Sequence, residues 1–245
     1  PLGLLWFGGP PNDKILPRHG HGPSPQVVGG RLFIEGRDVL RAVDVYTGRL
    51  LWEREFLDLG KYYDNTSHQP GANVIGSNYV SVEDGVYVVS PRSCLRLDPA
   101  TGRTLKEFKL PAHNGGESPR WGFIATWRNL LVATASPIDV PLPDEKNGEG
   151  GAQKRPPEET VKVALKDVPG VTIDADHASA SGVLVVMDRH SGAILWTRRA
   201  RHNFRHNAIA AAADKVFCID GMSQGKLAFL RRRGHDVREK AVLYA

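Results

Sequence analysis

Arg205-His206-Asn207 and Arg120-Trp121 each stand just before a short apolar run, Ala208–Ala213 and Phe123–Thr126. Two guanidinium forks with an indole and an imidazole suit a small planar anion, because a guanidinium matches a carboxylate with two parallel hydrogen bonds. Alignment on the turns that follow the two runs pairs Ile124 with Ile209. It sets Trp121 opposite His206 and Arg120 opposite Arg205, so these side chains are expected to converge, with Asn207 beside them. His68 and Asn73 bound the stretch His68-Gln69-Pro70-Gly71-Ala72-Asn73, a loop of the kind that carries binding residues. These seven residues form the candidate ligand site. The competing reading is ordinary hydrogen bonding at a sheet edge.

Other clusters carry less. His19-Gly20-His21 offers two imidazoles, but the spacing fixes no third metal ligand. Asp174, Asp176 and His177 offer ligands without the remainder of a calcium loop. No metal site is expected. No GxxxxGK(S/T), no GxGxxG after a strand and no GxSxG elbow occurs. Cys94 and Cys218 both lie in strand-like runs and read as buried free thiols. Arg198-Arg199-x-Arg201 and Arg231-Arg232-Arg233 lack interleaved aromatics for base stacking. They read as solvated surface, and no nucleic-acid partner is expected.

The elements that must position these groups come from an ordinary globular composition. Of 245 residues, 41% are hydrophobic and 24% charged, with a net charge of +5; this excludes a disordered tail. The longest apolar runs fall far short of the roughly 20 residues that span a bilayer, so no transmembrane segment is expected. Residue 1 is proline, and the chain reads as part of a longer one.

Repeats organise it. Three segments share a short apolar run, an Asp, then Thr-Gly or Ser-Gly, then a second run: Ala42, Asp44, Thr47, Gly48, Trp52; Arg96, Asp98, Thr101, Gly102, Lys106; and Val186, Asp188, Ser191, Gly192, Trp196. Around them, short runs alternate apolar and polar residues between Gly-containing turns, which predicts strands. Gly48 and Gly102 are 54 positions apart, and Gly192 follows 90 later. The excess falls in residues 137–181, a Pro/Gly-rich stretch with nine acidic and five basic residues, read as a polar insertion within the third repeat. Four short antiparallel strands per repeat predict propeller blades, which bury their faces by stacking. The expected fold is all-β: a partial β-propeller, residues 1–245, with about three and a half four-stranded blades of a whole of seven or eight.

The pattern Ala42-x-Asp44-x-x-Thr47-Gly48-x-x-x-Trp52, with its recurrence from Val186 to Trp196, resembles the tryptophan-docking motif of the quinoprotein alcohol dehydrogenase-like superfamily, the pyrrolo-quinoline quinone (PQQ)-like repeat propellers. The resemblance implies that the twelve motif residues Ala42, Asp44, Thr47, Gly48, Trp52, Asp98, Thr101, Gly102, Asp188, Ser191, Gly192 and Trp196 dock blades and perform no chemistry. In that family the enzymes hold PQQ with calcium or a lanthanide and often use adjacent cysteines. No Cys-Cys pair and no matching carboxylate set occurs here. The resemblance therefore implies a non-catalytic binding or scaffolding propeller without a cofactor, a protein partner, and a periplasmic or cell-envelope location. The alternative it leaves open is a piece of a PQQ- and calcium-dependent oxidoreductase.

Overall fold

The computed structural model describes Trp6 and residues 14–16, 22–60, 76–90, 92–112, 117–137, 179–222, 224–236 and 240–245. The first sheet runs β1 (Gln26–Val28), β2 (Arg31–Gly36), β3 (Val39–Asp44), β4 (Leu50–Glu55), and the second β5 (Tyr79–Val82), β6 (Gly85–Ser90), β7 (Ser93–Leu97), β8 (Thr104–Phe108). Each is an antiparallel meander. A six-stranded sheet follows in chain order: β9 (Trp121–Trp127), β10 (Leu130–Pro137), β11 (Ala180–Asp188), β12 (Ile194–Ala212), β13 (Lys215–Asp220) and β14 (Val242–Tyr244). Among the described residues a helix, α1 (Gln224–Arg232), stands between β13 and β14.

Consecutive inner strands touch: β1 meets β5, β5 meets β9, and β9 meets β12. That is the arrangement of blades around an axis. The core lies between the sheets. Phe33, Leu40, Ala42 and Trp52 of blade one pack on Tyr79, Val86, Val88 and Leu97 of blade two. Tyr87, Cys94 and Phe108 pack on Ile124, Leu131, Ala133 and Met187. Val132, Leu184 and Val186 pack on Phe204 and Cys218. Both cysteines are buried free thiols, as expected.

The repeated turn has one geometry three times. Asp44 Oδ1 accepts the backbone N–H groups of Tyr46 and Thr47 and the Thr47 hydroxyl. Asp98 does the same with Ala100 and Thr101, and Asp188 with His190 and Ser191. The bonds from Thr47 and Ser191 hold the Asp44 and Asp188 carboxyls below the ordinary range. Gly48, Gly102 and Gly192 close the turns at φ of 68°, 70° and 75°, a region that costs a residue with a Cβ about 1–2 kcal/mol.

An aromatic ring lies on each of those glycines. Trp52 stands over Gly102 and donates its indole N–H to the Pro99 carbonyl at 3.0 Å. Trp6 stands over Gly48 in the same way and donates to the Val45 carbonyl at 2.9 Å. Blade two has Lys106 in the tryptophan's register. Two residues on, Phe108 lays its ring over Gly192, while Lys106 Nζ donates to the Ser191 carbonyl at 2.6 Å. The stacking and the hydrogen bond of one tryptophan are thus divided between two side chains.

The sequence reading is corrected in the last sheet. Ala208–Ala213 reads in sequence as a separate short run, but β12 reaches from Ile194 to Ala212 without a break. Its first part pairs with β11 and its second with β13, with bulges on both sides. Asp220 makes the crossing: its carboxylate accepts the backbone N–H groups of Arg201, His202 and Asn203 at 2.6, 2.9 and 2.9 Å. Blades three and four therefore share one sheet. Pairing also extends to Pro137 and Ser181, both assigned to the insertion by sequence; residues 138–178 lie outside the described residues. Strands β1 and β14 and helix α1 were not anticipated. Among the described residues, no helix is long and apolar enough to cross a membrane.

Candidate functional site

The expected convergence takes a different form. Trp121 opens β9 and is 4% exposed, packed in the core between blades two and three. Its register partner in the next inner strand is Phe204, not His206: Trp121 pairs with Ala135 as Phe204 pairs with Asp220. The alignment on turns slips by two residues because β12 bulges between Phe204 and Ile209. Arg205, His206 and Asn207 lie inside β12 rather than ahead of it. Arg120 is half-buried, and its carbonyl accepts the Ser136 N–H at 2.9 Å. Arg205 donates to Ser179 Oγ at 3.3 Å, and Asn207 is exposed. His68 and Asn73 lie outside the described residues, as do His19, His21, Asp174, Asp176 and His177.

What the structure gathers around His206 is a buried polar bolt. His206 is 1% exposed, and its backbone N–H donates to the Ser179 carbonyl at 3.0 Å. Its Nε2 lies 2.7 Å from Ser181 Oγ and 3.1 Å from Thr134 Oγ1. Ser181 Oγ donates to Thr134 Oγ1 at 2.9 Å, and Thr134 Oγ1 also accepts the Phe123 N–H at 2.9 Å. The imidazole stacks on the Phe123 ring at 6.1 Å. One residue comes from each of β9, β10, β11 and β12, so the bolt crosses four strands where two of them bulge.

A serine oxygen 2.7 Å from an imidazole nitrogen has the spacing of a base and its nucleophile. Access decides against that use. Thr134 and Ser181 are fully buried. Gly122 lies over them so closely that a Cβ there would fall 2.6 Å from Thr134 Oγ1 and 2.7 Å from Ser181 Oγ. No carbonyl carbon fits between. The cluster fixes bulged strands and roots residues 179–181 to β12.

A second polar pair lies near where the inner strand of blade two begins. Glu35, 6% exposed, occupies the place in β2 that Thr134 holds in β10: Glu35 pairs with Leu40 as Thr134 pairs with Leu184. Its Oε1 accepts the Asn78 Nδ2 at 3.0 Å. Its Oε2 and the Asn78 Oδ1 are buried without hydrogen-bond partners. Burial raises the Glu35 pKa to about 8 against the lowering effect of the Asn78 bond. Burial, with Glu35 adding to it, also pushes the Tyr79 phenol up. A protonated Glu35 removes the penalty of an uncompensated buried carboxylate.

On the face carrying the repeated turns, Asp84 joins blades two and three. Arg189 reaches it at 2.5 Å, Arg96 at 3.1 Å and His190 at 3.6 Å, while Arg189 also donates to the Tyr87 hydroxyl at 3.2 Å. A shallow cavity of about 430 Å³ lies elsewhere, lined by Lys14, Arg37, Asp38, Glu55 and Leu57. Lys14 and Glu55 pair across it at 2.5 Å. Among the described residues no three His, Cys, Asp or Glu side chains are grouped as a metal centre.

No family model matches the chain, and no curated protein matches it. Among solved structures it is similar to BamB from Moraxella catarrhalis, 14% identical over 80% of this chain and 39% of that one, with a TM-score of 0.43. It is similar to the quinohemoprotein alcohol dehydrogenase from Comamonas testosteroni, 14% identical over 74% of this chain and 21% of that one, TM-score 0.40. A europium-containing methanol dehydrogenase is 11% identical over 82% of this chain and 38% of that one, TM-score 0.44. The chain thus spans well under half the length of each.

Proposed function

We propose that the chain is part of a non-catalytic PQQ-like repeat propeller that serves as a binding or scaffolding module. The reading rests on how the polar groups near the inner-strand beginnings are used. Trp121 is core, and the His206 imidazole bonds to Ser181 and Thr134. Side chains engaged in this way hold blades together and present no reactive group to a ligand.

A PQQ- and calcium-dependent oxidoreductase is the alternative. Calcium takes about six to eight oxygen ligands. The described residues offer three unpartnered buried side-chain oxygens, Glu35 Oε2, Asn78 Oδ1 and Ser81 Oγ, and a proton on Glu35 competes for one. This set does not fit the ion, and no step through a quinone is derived. The scaffold reading brings with it a protein partner, or a small anion near Arg120 and Arg205, and a periplasmic or cell-envelope location.

Calorimetric titration of the chain with PQQ, with and without calcium, tests it. The expected result is no saturable heat from a sample that melts cooperatively with a β-sheet spectrum. Saturable, calcium-dependent binding overturns the reading and calls for an alcohol oxidation assay.

A further inference from the structure

Blades three and four depart from blades one and two at the same connection. In blade one, Arg37 and Asp38 alone join the second strand to the third, between the paired Gly36 and Val39. In blade two, residues 91 and 92 do so between the paired Ser90 and Ser93. In blade three the same connection holds residues 138–179, and in blade four residues 221–241.

Both long connections leave one edge of the six-stranded sheet. Pro137 pairs with Ser181, Ser181 with Phe204, Phe204 with Asp220, and Asp220 with Val242. These five residues form a single row across β10 to β14. Paired strands stand about 4.8 Å apart, so the two connections depart within about 15 Å of each other.

Their charges are opposite. Residues 138–178 hold nine acidic and five basic side chains, and residues 221–241 hold two acidic and six basic ones, a net of −4 against +4. Helix α1 carries the positive side: Arg231, Arg232 and Arg233 are all exposed at its end. A helix C-terminus favours one such charge, but three in succession repel one another and gain from a nearby anion. Asp220, the acid in the row, does not offset them. It is 2% exposed, and its carboxylate accepts the N–H groups of Arg201, His202 and Asn203. Arg205, opposite Ala180 and one residue past the row, adds a further cation there.

We propose that the blade-four connection, residues 221–241, is a docking surface for the acidic residues 138–178 of the same chain, with Arg231, Arg232 and Arg233 as its carboxylate-binding groups. Guanidinium forks match carboxylates two bonds at a time. Tethering in one sheet supplies a high effective concentration, and salt screens the contact. This holds whether or not the propeller is catalytic.

Zero-length coupling with a water-soluble carbodiimide tests it. The reagent joins a carboxylate to a lysine amine in contact as an amide and leaves as its urea. The 245-residue chain is coupled at low salt, and the linked peptides are identified by mass spectrometry. The expected result is links from acids of 138–178 to Lys226 or Lys240 within the monomer. They are expected to fall roughly fivefold in about 0.5 M salt and likewise in the triple variant Arg231→Gln, Arg232→Gln, Arg233→Gln. The three arginines are exposed, so that variant is expected to keep the parent's β-sheet spectrum. Lys215, at the far end of β13, and Lys106, bonded to the Ser191 carbonyl, serve as controls. The proposal fails if, in the folded parent, 138–178 links to Lys215 and Lys106 as readily as to Lys226 and Lys240, or links to none of them. It fails if the links survive both the salt and the triple variant. Links found only in a covalent dimer overturn it too, since the occupant is then a second copy.

Discussion

The ring of Phe108 fills the space where a side chain on Gly192 would go, with its Cδ1 2.6 Å from the Cβ position. Trp52 over Gly102 and Trp6 over Gly48 stand at 2.7 and 2.5 Å by the same measure. Each glycine is thus fixed twice, by its positive φ and by the ring laid over it. Gly192→Ala is expected to destabilise the chain by about 2–4 kcal/mol, combining backbone strain with overpacking. Urea denaturation followed by circular dichroism measures it. A loss of only about 1 kcal/mol, the lower end of what backbone strain alone costs, would mean that Phe108 moves aside freely and does not dock the blade.

Glu35 governs stability between mildly acid and mildly alkaline pH. Its folded pKa of about 8 lies above the ordinary 4.5, so the folded state holds the proton more tightly. Its contribution is full below pH 4.5, declines as pH rises, and is lost above 8. The slope approaches about 1.4 kcal/mol per pH unit in that window. Glu35→Gln carries no titrating proton there and is expected to flatten the profile, matching the parent near pH 4 and exceeding it near pH 9. Denaturation midpoints at five pH values decide; parallel profiles for the two proteins would show that Glu35 is ionised when folded.

The blades were legible because their signals are local. Alternation and the Asp-x-x-Thr/Ser-Gly turn each span a few residues, and the strands formed close to where they were read. The run through β12 was missed, although residues 197–208 contain neither Gly nor Pro, the residues that would have punctuated a break. The triplet Leu4-Leu5-Trp6 repeats Leu50-Leu51-Trp52 and was a readable sign of a third docking tryptophan. The His206 bolt was not legible. Its partners Thr134 and Ser181 are 72 and 25 positions away, and no local pattern links hydroxyls at such distances. Likewise Phe108 takes the place of a docking tryptophan from two positions further along its strand, a shift that the repeated motif does not announce.

The bolt predicts a sharp difference between two substitutions at its centre. Thr134→Val keeps the shape but leaves the Phe123 N–H without its acceptor, at about 1–3 kcal/mol. Thr134→Ser keeps the hydroxyl and gives up only a methyl group, about 1 kcal/mol. Thermal melts compare the two. Amide exchange at Phe123 adds a local readout, expected to speed up in Thr134→Val and stay slow in Thr134→Ser. Equal exchange in both would remove the hydroxyl from the account of how β9 is held.

The Asp84 latch acts at the opposite end of the pH scale from Glu35. Burial works against its ionisation, but the Arg189 bond and the nearby charges of Arg189, Arg96 and His190 outweigh it and hold the carboxyl below its ordinary value of 3.8. A depressed pKa contributes stability that is present above 3.8 and is lost as pH falls through the folded value. Asp84 is more than a third exposed, so solvent screening limits the effect to about 1 kcal/mol. Asp84→Asn is therefore expected to weaken the chain modestly at pH 7 and to converge with the parent as pH falls through the folded value, whereas Glu35→Gln leaves that acid limb unchanged. Combining Asp84→Asn with Arg189→Ala completes a double-mutant cycle whose coupling disappears in high salt if the contact is ionic. Coupling that persists in high salt would show that the contact is not chiefly ionic and point to the Arg189–Tyr87 hydrogen bond instead.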